Sequence, residues 1–128
     1  GCQAECGSAS AMGAAAICYL RGYKPDIMFA AAAFAIKNIL GLVCDPVCGL
    51  VEYPCNLRNA SGVVNAIISA DLAMAGVNCL VPLDETIDSM RQVGASMPEA
   101  LRETAMGGIA ATPTAERLEH DRMSVSQN

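Results

Sequence analysis

The chain has 128 residues and a formal net charge of −5, from 13 acidic and 8 basic side chains. That balance, with no basic stripe interleaved with aromatics, excludes nucleic-acid binding. Hydrophobic residues make up 53%, yet there is no Trp and only 3 Tyr and 2 Phe, so the core must come from Ala, Val, Ile, Leu and Met.

Small side chains bury little area each, at about 25 cal/mol per Å². Such a core needs close backbone approach or surface borrowed from a neighbour. The expectation is one domain, or part of a larger one, with a partner domain or subunit. A membrane span is not expected. The most apolar run, residues 27–36, stops at Lys37, short of the ~18–20 residues a span needs. Residues 63–83 are interrupted by Asn65, Asp71 and Asn78. No signal peptide is read. The opening GCQAEC lacks a start Met and is expected to mark a fragment or processed product.

In chain order, Cys2 and Cys6 open a helix with Glu5 in its first turn, where negative charge is favourable. It runs through ASAMGAAAICYL to about residue 21. Being small all round, it can be approached on several sides and is expected to be central. Gly22 should cap it. Lys24-Pro25-Asp26 starts a second helix, 25–40, apolar nearly all round and so buried. Lys37 and Asn38 at its end are read either as a solvated last turn or as facing the loop that follows.

Residues 41–59, GLVCDPVCGLVEYPCNLRN, form that loop. Pro46 and Pro54 break helix there. Asn56 or Asn59 could cap a third helix over 59–75, whose Val63, Val64, Ile67, Ile68, Leu72 and Met74 suit a period near 3.6. Gly76 ends it. A more amphipathic helix spans 83–93 with Asp84 as N-cap. A short helix covers 99–104. Residues 105–118 read as loop with a final turn at 114–118, and 119–128 as a polar, mobile tail. The expected fold is all-α: a compact bundle of about five small-residue-rich helices, with an irregular Cys/Pro loop between the second and third. Residues 1–118 form the domain.

Seven cysteines could signal a disulfide framework, but the long helical periodicity argues for a reducing, cytoplasmic setting. Cys18 and Cys79 sit in apolar surroundings and read as ordinary buried thiols. Cys2 and Cys6 are four apart, as are Cys44 and Cys48, and Cys55 lies seven beyond. No pair has CxxC spacing, and the single histidine, His120, is in the tail and read as solvated. A histidine-free set points to a thiolate site, an iron–sulfur cluster before zinc. On spacing alone, structural free thiols account for the set somewhat better. What they leave unexplained is a cysteine-bearing loop with two prolines.

The stretches GCQAECGSASAM, AIKNILGLVCDPVCGLVEYPCNLRNASGVVNAIISADLAMAG and LRETAMGGIAATPT closely resemble, in order and spacing, the catalytic alpha portion of the iron–sulfur-dependent L-serine dehydratases. The resemblance runs from Gly1 to about Leu118. It implies a [4Fe–4S] cluster held by Cys2, Cys44 and Cys55, with Cys6 and Cys48 as bystanders. Three ligands leave one iron open, a Lewis acid for the carboxylate and hydroxyl of L-serine. A base removes the Cα proton, and elimination gives aminoacrylate, then pyruvate and ammonia. That reaction belongs to amino-acid degradation and gluconeogenesis. The resemblance also implies a beta subunit or beta domain, carrying the serine-recognising motif and the base, and a homo- or hetero-oligomer. The motif with the base is absent here, and so is the C-terminal cysteine of some members.

In this reading Pro46 and Pro54 restrain the thiolates, and Gly41 and Gly49 let backbone approach the cluster. Arg58 either contacts the substrate carboxylate or makes a salt bridge at the helix start. Asn59, and more weakly Lys37 and Asn38, are further substrate-side candidates. Two other readings stand beside it: a related cluster-dependent lyase such as an L-cysteine desulfidase, and a non-catalytic helical module with structural zinc or free thiols.

Overall fold

A computed structural model describes residues 1–125. Among these, five α-helices follow one another: α1 (Cys2–Leu20), α2 (Pro25–Lys37), α3 (Cys55–Met74), α4 (Leu83–Ser96) and α5 (Pro113–Val125). Single 3-10 turns lie at Val47–Gly49, Glu99–Leu101 and Gly108–Ala111. No strand forms among the described residues, and one isolated parallel bridge joins Cys44 to Arg102. The fold is all-α, as the periodicity predicts.

Helix α1 packs against both α2 and α3, which also touch each other, while α4 lies on α2. The shared core is Ala11, Ala14, Cys18, Ala31, Ala32, Ala35, Ile36, Ala66, Ala70 and Ala73. With so little side chain between them, the helices must approach closely. A Cβ on Gly13 would stand 3.2 Å from the Ala66 Cβ, and one on Gly62 would stand 3.1 Å from Ser10 Oγ. Ser10 Oγ also donates to the Gly62 carbonyl at 2.9 Å. The α1–α3 crossing is thus built on glycine and a hydroxyl.

Gly22 closes α1 as expected. Its φ is +80°, its N–H donates to Tyr19 O, and Tyr23 N–H reaches back to Cys18 O, the paired bonds of a Schellman cap. Gly76 ends α3 with the same pair of bonds, to Ala73 O and Leu72 O.

Several boundaries differ from the sequence reading. Helix α2 stops at Lys37 and continues as turns, not helix, to Gly41. Helix α3 begins at Cys55, four residues earlier than expected. Pro54 is its N-cap, and the Pro54 carbonyl accepts from Arg58 N–H at 3.0 Å. A proline costs nothing there, because no helical N–H is required of it. Asn56 and Asn59 therefore lie inside the helix and do not cap it. Pro82, not Asp84, caps α4, which extends to Ser96, and Asp84 sits in its first turn. The expected helix over 99–104 is a single 3-10 turn at Glu99–Leu101, followed by irregular chain.

The polar end of the chain is more ordered than its composition suggests. Pro113 opens α5 with Glu116 in its first turn and Arg122 in its last, an arrangement that suits the helix dipole. The Thr112 hydroxyl accepts from Ala115 N–H at 3.4 Å. Residues 119–125, expected as mobile tail, are helical. The rest of that expected tail, 126–128, lies outside the described residues. Cys18 is fully buried, but Cys79 is only half-buried: its thiol donates to Val81 O and accepts from Lys37 Nζ. The polar connector, not the core, receives it.

Candidate functional site

Cys2 occupies the first position of α1. Its N-terminal turn is anchored by the next residue, Gln3, which is only 2% exposed. Gln3 N–H donates to Leu42 O at 2.9 Å, its Nε2 donates to Met90 O at 2.8 Å, and its Oε1 accepts from Gly41 N–H at 2.9 Å. One buried amide therefore ties the start of α1 to the loop after α2 and to α4. Cys2, Cys6 and Cys44 form a buried cluster under Ile39 and Leu42.

Cys44 is fixed through its backbone. Its N–H donates to Leu101 O at 3.0 Å, and its carbonyl accepts from Glu103 N–H at 3.1 Å. The neighbouring Asp45 is 2% exposed. Its Oδ1 accepts from Arg58 Nη1 at 2.6 Å, and its Oδ2 accepts from Ile109 N–H at 2.7 Å. Arg58 Nη1 also donates to Val43 O at 2.9 Å. Cys55 stands one turn before Arg58 at the start of α3. The loop that carries Cys44 is thus pinned to α3 on one side and to residues 101–109 on the other. Gly108 has a φ of +62°, and a Cβ there would collide with the Asp45 carboxylate. Only glycine suits both the backbone and the space.

The thiols feel one another. Burial raises the Cys44 pKa, and Glu103, Cys2 and Cys55 add to the shift. Burial likewise raises Cys55, helped by Cys2 and Glu5 and opposed by Arg58. Cys6 is pushed up to about 12 by burial, by its hydrogen bond with Cys2, and by the charges of Cys2 and Glu5. Burial works against the Arg58 charge, but Asp45, and then Cys2 and Cys55, outweigh it and raise its pKa. Crowded, dry thiols resist joint ionisation unless positive charge stands among them.

Cys6 lies with its Sγ 3.2 Å from Cys2 Sγ and 3.5 Å from Asn59 Oδ1. Cys48 sits on the 3-10 turn with a φ of +55°, and its carbonyl faces Arg122 Nη2 of α5 at 3.5 Å. All seven cysteines are free. No group of three or more His, Cys, Asp or Glu among the described residues makes a ready cage for one metal ion.

Of the substrate-side candidates, Arg58 and Asn59 belong to this region. Lys37 does not face it: its Nζ bonds Cys79 Sγ at 3.3 Å and Val81 O at 2.5 Å, and lies 5.5 Å from the Phe34 ring centroid. Asn38 bonds Asn65 Oδ1 at 2.8 Å and Ser69 Oγ at 3.3 Å, lacing α2 to α3. His120 is 83% exposed on α5. The residues that sequence reasoning missed are Gln3 and Asp45. Each is a polar side chain next to a cysteine in a hydrophobic neighbourhood, a signal that was present in GCQ and CDP. A groove of about 390 Å³ runs from Cys6 and Asn59 along the α1–α3 crossing, past Ser10, Gly13, Gly62 and Ile67.

Among the described residues no helix is long and apolar enough to cross a membrane. The family model described as serine dehydratase alpha chain matches residues 1–110. The chain is 59% identical over 121 residues to the L-serine dehydratase alpha chain of Peptoniphilus asaccharolyticus, covering 94% of this chain and 41% of the relative. It is 58% identical over 119 residues to a probable L-serine dehydratase alpha chain of Bacillus subtilis (strain 168), covering 93% and 40%. With the L-serine dehydratase of Mycobacterium bovis it shares 45% over 111 residues, covering 86% and 24%. The chain thus spans about two fifths of these alpha chains and a quarter of the M. bovis protein. On these matches, and on the motifs now gathered at one end of the bundle, the chain belongs to the serine dehydratase alpha chain family.

Proposed function

We propose that this chain is part of an L-serine dehydratase, a lyase converting L-serine to pyruvate and ammonia, and that Cys2, Cys44 and Cys55 hold a [4Fe–4S] cluster in it. The observation that supports the reading is the burial of Cys2 and Cys44 together under Ile39 and Leu42, with Cys55 half-buried and near enough that its charge helps raise the Cys44 pKa. The donor set fits such a group: it is all sulfur, with Cys2 and Cys44 shielded by Ile39 and Leu42, Cys55 half-buried, and the Arg58 guanidinium facing Cys2 and Cys55. Sulfur donors without histidine suit iron and sulfide, and iron would supply the positive charge that crowded thiolates need. When bound by three protein ligands, the cluster supplies one iron with an open position, a Lewis acid for a carboxylate and a hydroxyl.

The other residues have distinct tasks. Gln3 fixes the turn bearing Cys2, and the backbone bonds of residues 101 and 103 fix Cys44. Asp45 and Arg58 set the position of the loop against α3. Ile39 and Leu42 keep water from Cys2 and Cys44. Arg58 and Asn59 are the substrate-side groups of this reading, and with Arg58 Nη1 engaged by Asp45 the guanidinium is held in a fixed orientation. In this reading the proton at Cα is taken by a base from outside this chain; the one histidine, His120, is 83% exposed on α5.

That base is expected in a beta subunit or domain. Large apolar side chains on the outer face of α3 suit cover by such a partner, or by the remainder of the alpha chain. Val63, Val64, Ile67 and Ile68 are 49–63% exposed there. The free thiols suit a reducing cytoplasm. The test is pyruvate release by the full-length, anaerobically prepared assembly. L-serine should be turned over, with L-cysteine a poor substrate, and Cys44→Ala and Cys55→Ala should abolish turnover. Preference for L-cysteine would move the reading to a desulfidase. No turnover of either by a cluster-loaded assembly would overturn it.

A further inference from the structure

We propose that Cys6 donates its S–H to the sulfur of Cys2 and so positions and tunes the thiolate that holds the cluster, an inference that rests on the ligand reading of Cys2 above. The two Sγ atoms lie 3.2 Å apart, closer than the 3.5 Å from Cys6 Sγ to Asn59 Oδ1. Each cysteine is 4% exposed. One helical turn separates them, so both project from the same face of α1. With Cys44, Ile39 and Leu42 around them, the contact is dry, and a hydrogen bond is electrostatically stronger there than in water.

In the metal-free molecule either sulfur can be the donor. That symmetry ends once Cys2 is a ligand. A ligating cysteine is a thiolate; it has no proton to give and can only accept. The proton of the pair must then sit on Cys6. Asn59 Oδ1, on the other side of the Cys6 sulfur, is a competing acceptor, but a thiolate attracts an S–H more strongly than a neutral amide oxygen does. A disulfide between the two is disfavoured by geometry. Cβ atoms one helical turn apart stand about 5–6 Å from each other, whereas a disulfide holds them at about 3.5–4.5 Å.

A hydrogen bond to a ligand sulfur is one of the levers on cluster potential. It stabilises the more negative, reduced state, so removing it lowers the reduction potential. The experiment uses the full-length protein with its companion subunit, reconstituted anaerobically with iron and sulfide. Wild type, Cys6→Ala, Cys6→Val and Cys6→Ser are compared by iron and sulfide content, reduction potential and Fe–S stretching frequencies. Cys6→Val guards against collapse of the cavity left by alanine. All four should load equally. Cys6→Ala and Cys6→Val should have a lower potential and shifted Fe–S frequencies, while Cys6→Ser, which keeps a donor, should stay near wild type. Unchanged potential and frequencies in the alanine and valine variants would overturn the inference and leave Cys6 a space-filling residue. An equal shift in Cys6→Ser would overturn it too, since a donor would then not matter. Loss of iron in Cys6→Ala would make Cys6 a ligand and overturn it in a third way. Wild type that takes up no iron would instead defeat the cluster reading itself, and this inference with it.

Discussion

Asp45 is the residue on which the geometry of the thiol site turns. Its two oxygens serve two different elements, Arg58 on α3 and Ile109 N–H beyond the 101–103 segment. A buried carboxylate needs both, because an unpaired buried charge is costly. Replacement by Asn keeps the shape but removes the charge facing a guanidinium that is 16% exposed. Asp45→Asn should therefore lose about 2–3 kcal/mol of stability, measured by chemical denaturation. The exchange Asp45→Arg with Arg58→Asp should not restore it, because an arginine cannot accept from Ile109 N–H. The thiols make a second prediction. Cys6 is raised to about 12, with Cys44 and Cys55 raised too, mainly by burial. A thiol in the unfolded chain titrates near ~8.5. Below that pH both states are protonated and the stabilisation is fully present. Above it the unfolded chain loses protons that the folded chain keeps, so stability falls as pH rises. The metal-free protein should show a falling denaturation midpoint between pH ~8.5 and ~12, and Cys6→Ala should flatten that slope.

At the scale of elements, two glycines separate backbone effects from packing effects. Gly22 has a φ of +80° with open space around an added Cβ. Gly22→Ala should cost about 1 kcal/mol through the backbone alone. Gly13 lies within α1, where alanine would favour the helix, but its Cβ would press on Ala66 at 3.2 Å. Gly13→Val should cost about 1–3 kcal/mol by forcing α1 from α3. Thermal or denaturant unfolding of both variants checks the contrast. These helices were legible in the sequence because alanine runs, Pro25 and Gly22 mark their course and ends. Helix α5 was legible only as its first turn, 114–118. It lacks an apolar stripe, so its polar residues read as tail, although Pro113 and Thr112 carried a start signal. The start of α3 was misread because Pro54 looked like a breaker when it serves as the cap.

For the whole molecule, the small-residue core leaves large side chains outside. Val64 and Ile68, one turn apart on α3, are 60% and 52% exposed. Their replacement by Asp together should leave helicity by circular dichroism within ~10% of wild type, since surface substitutions usually change stability little. In the full-length protein the same pair should sharply reduce the assembled fraction by size-exclusion chromatography. Unchanged assembly would mean that this face is not where the remaining sequence or partner rests. The need for borrowed surface could be argued from composition, since alanine buries too little area to build a self-sufficient exterior. Which face stays apolar could not, because helical periodicity alone does not say which stripe of α3 meets α1. The thiol site divides in the same way. Cysteine spacing did not distinguish iron–sulfur binding from free thiols, and Gln3 and Asp45 gained roles only once distant segments met.

If Cys2, Cys44 and Cys55 hold the cluster, iron and sulfide stoichiometry across seven single Cys→Ala variants must single them out. With the full-length protein reconstituted anaerobically, Cys2→Ala, Cys44→Ala and Cys55→Ala should lose bound iron and the brown absorption. Alanine at Cys6, Cys18, Cys48 or Cys79 should leave both in place. Undiminished iron in the first three, or loss at Cys48 or Cys79 instead, would contradict this ligand assignment.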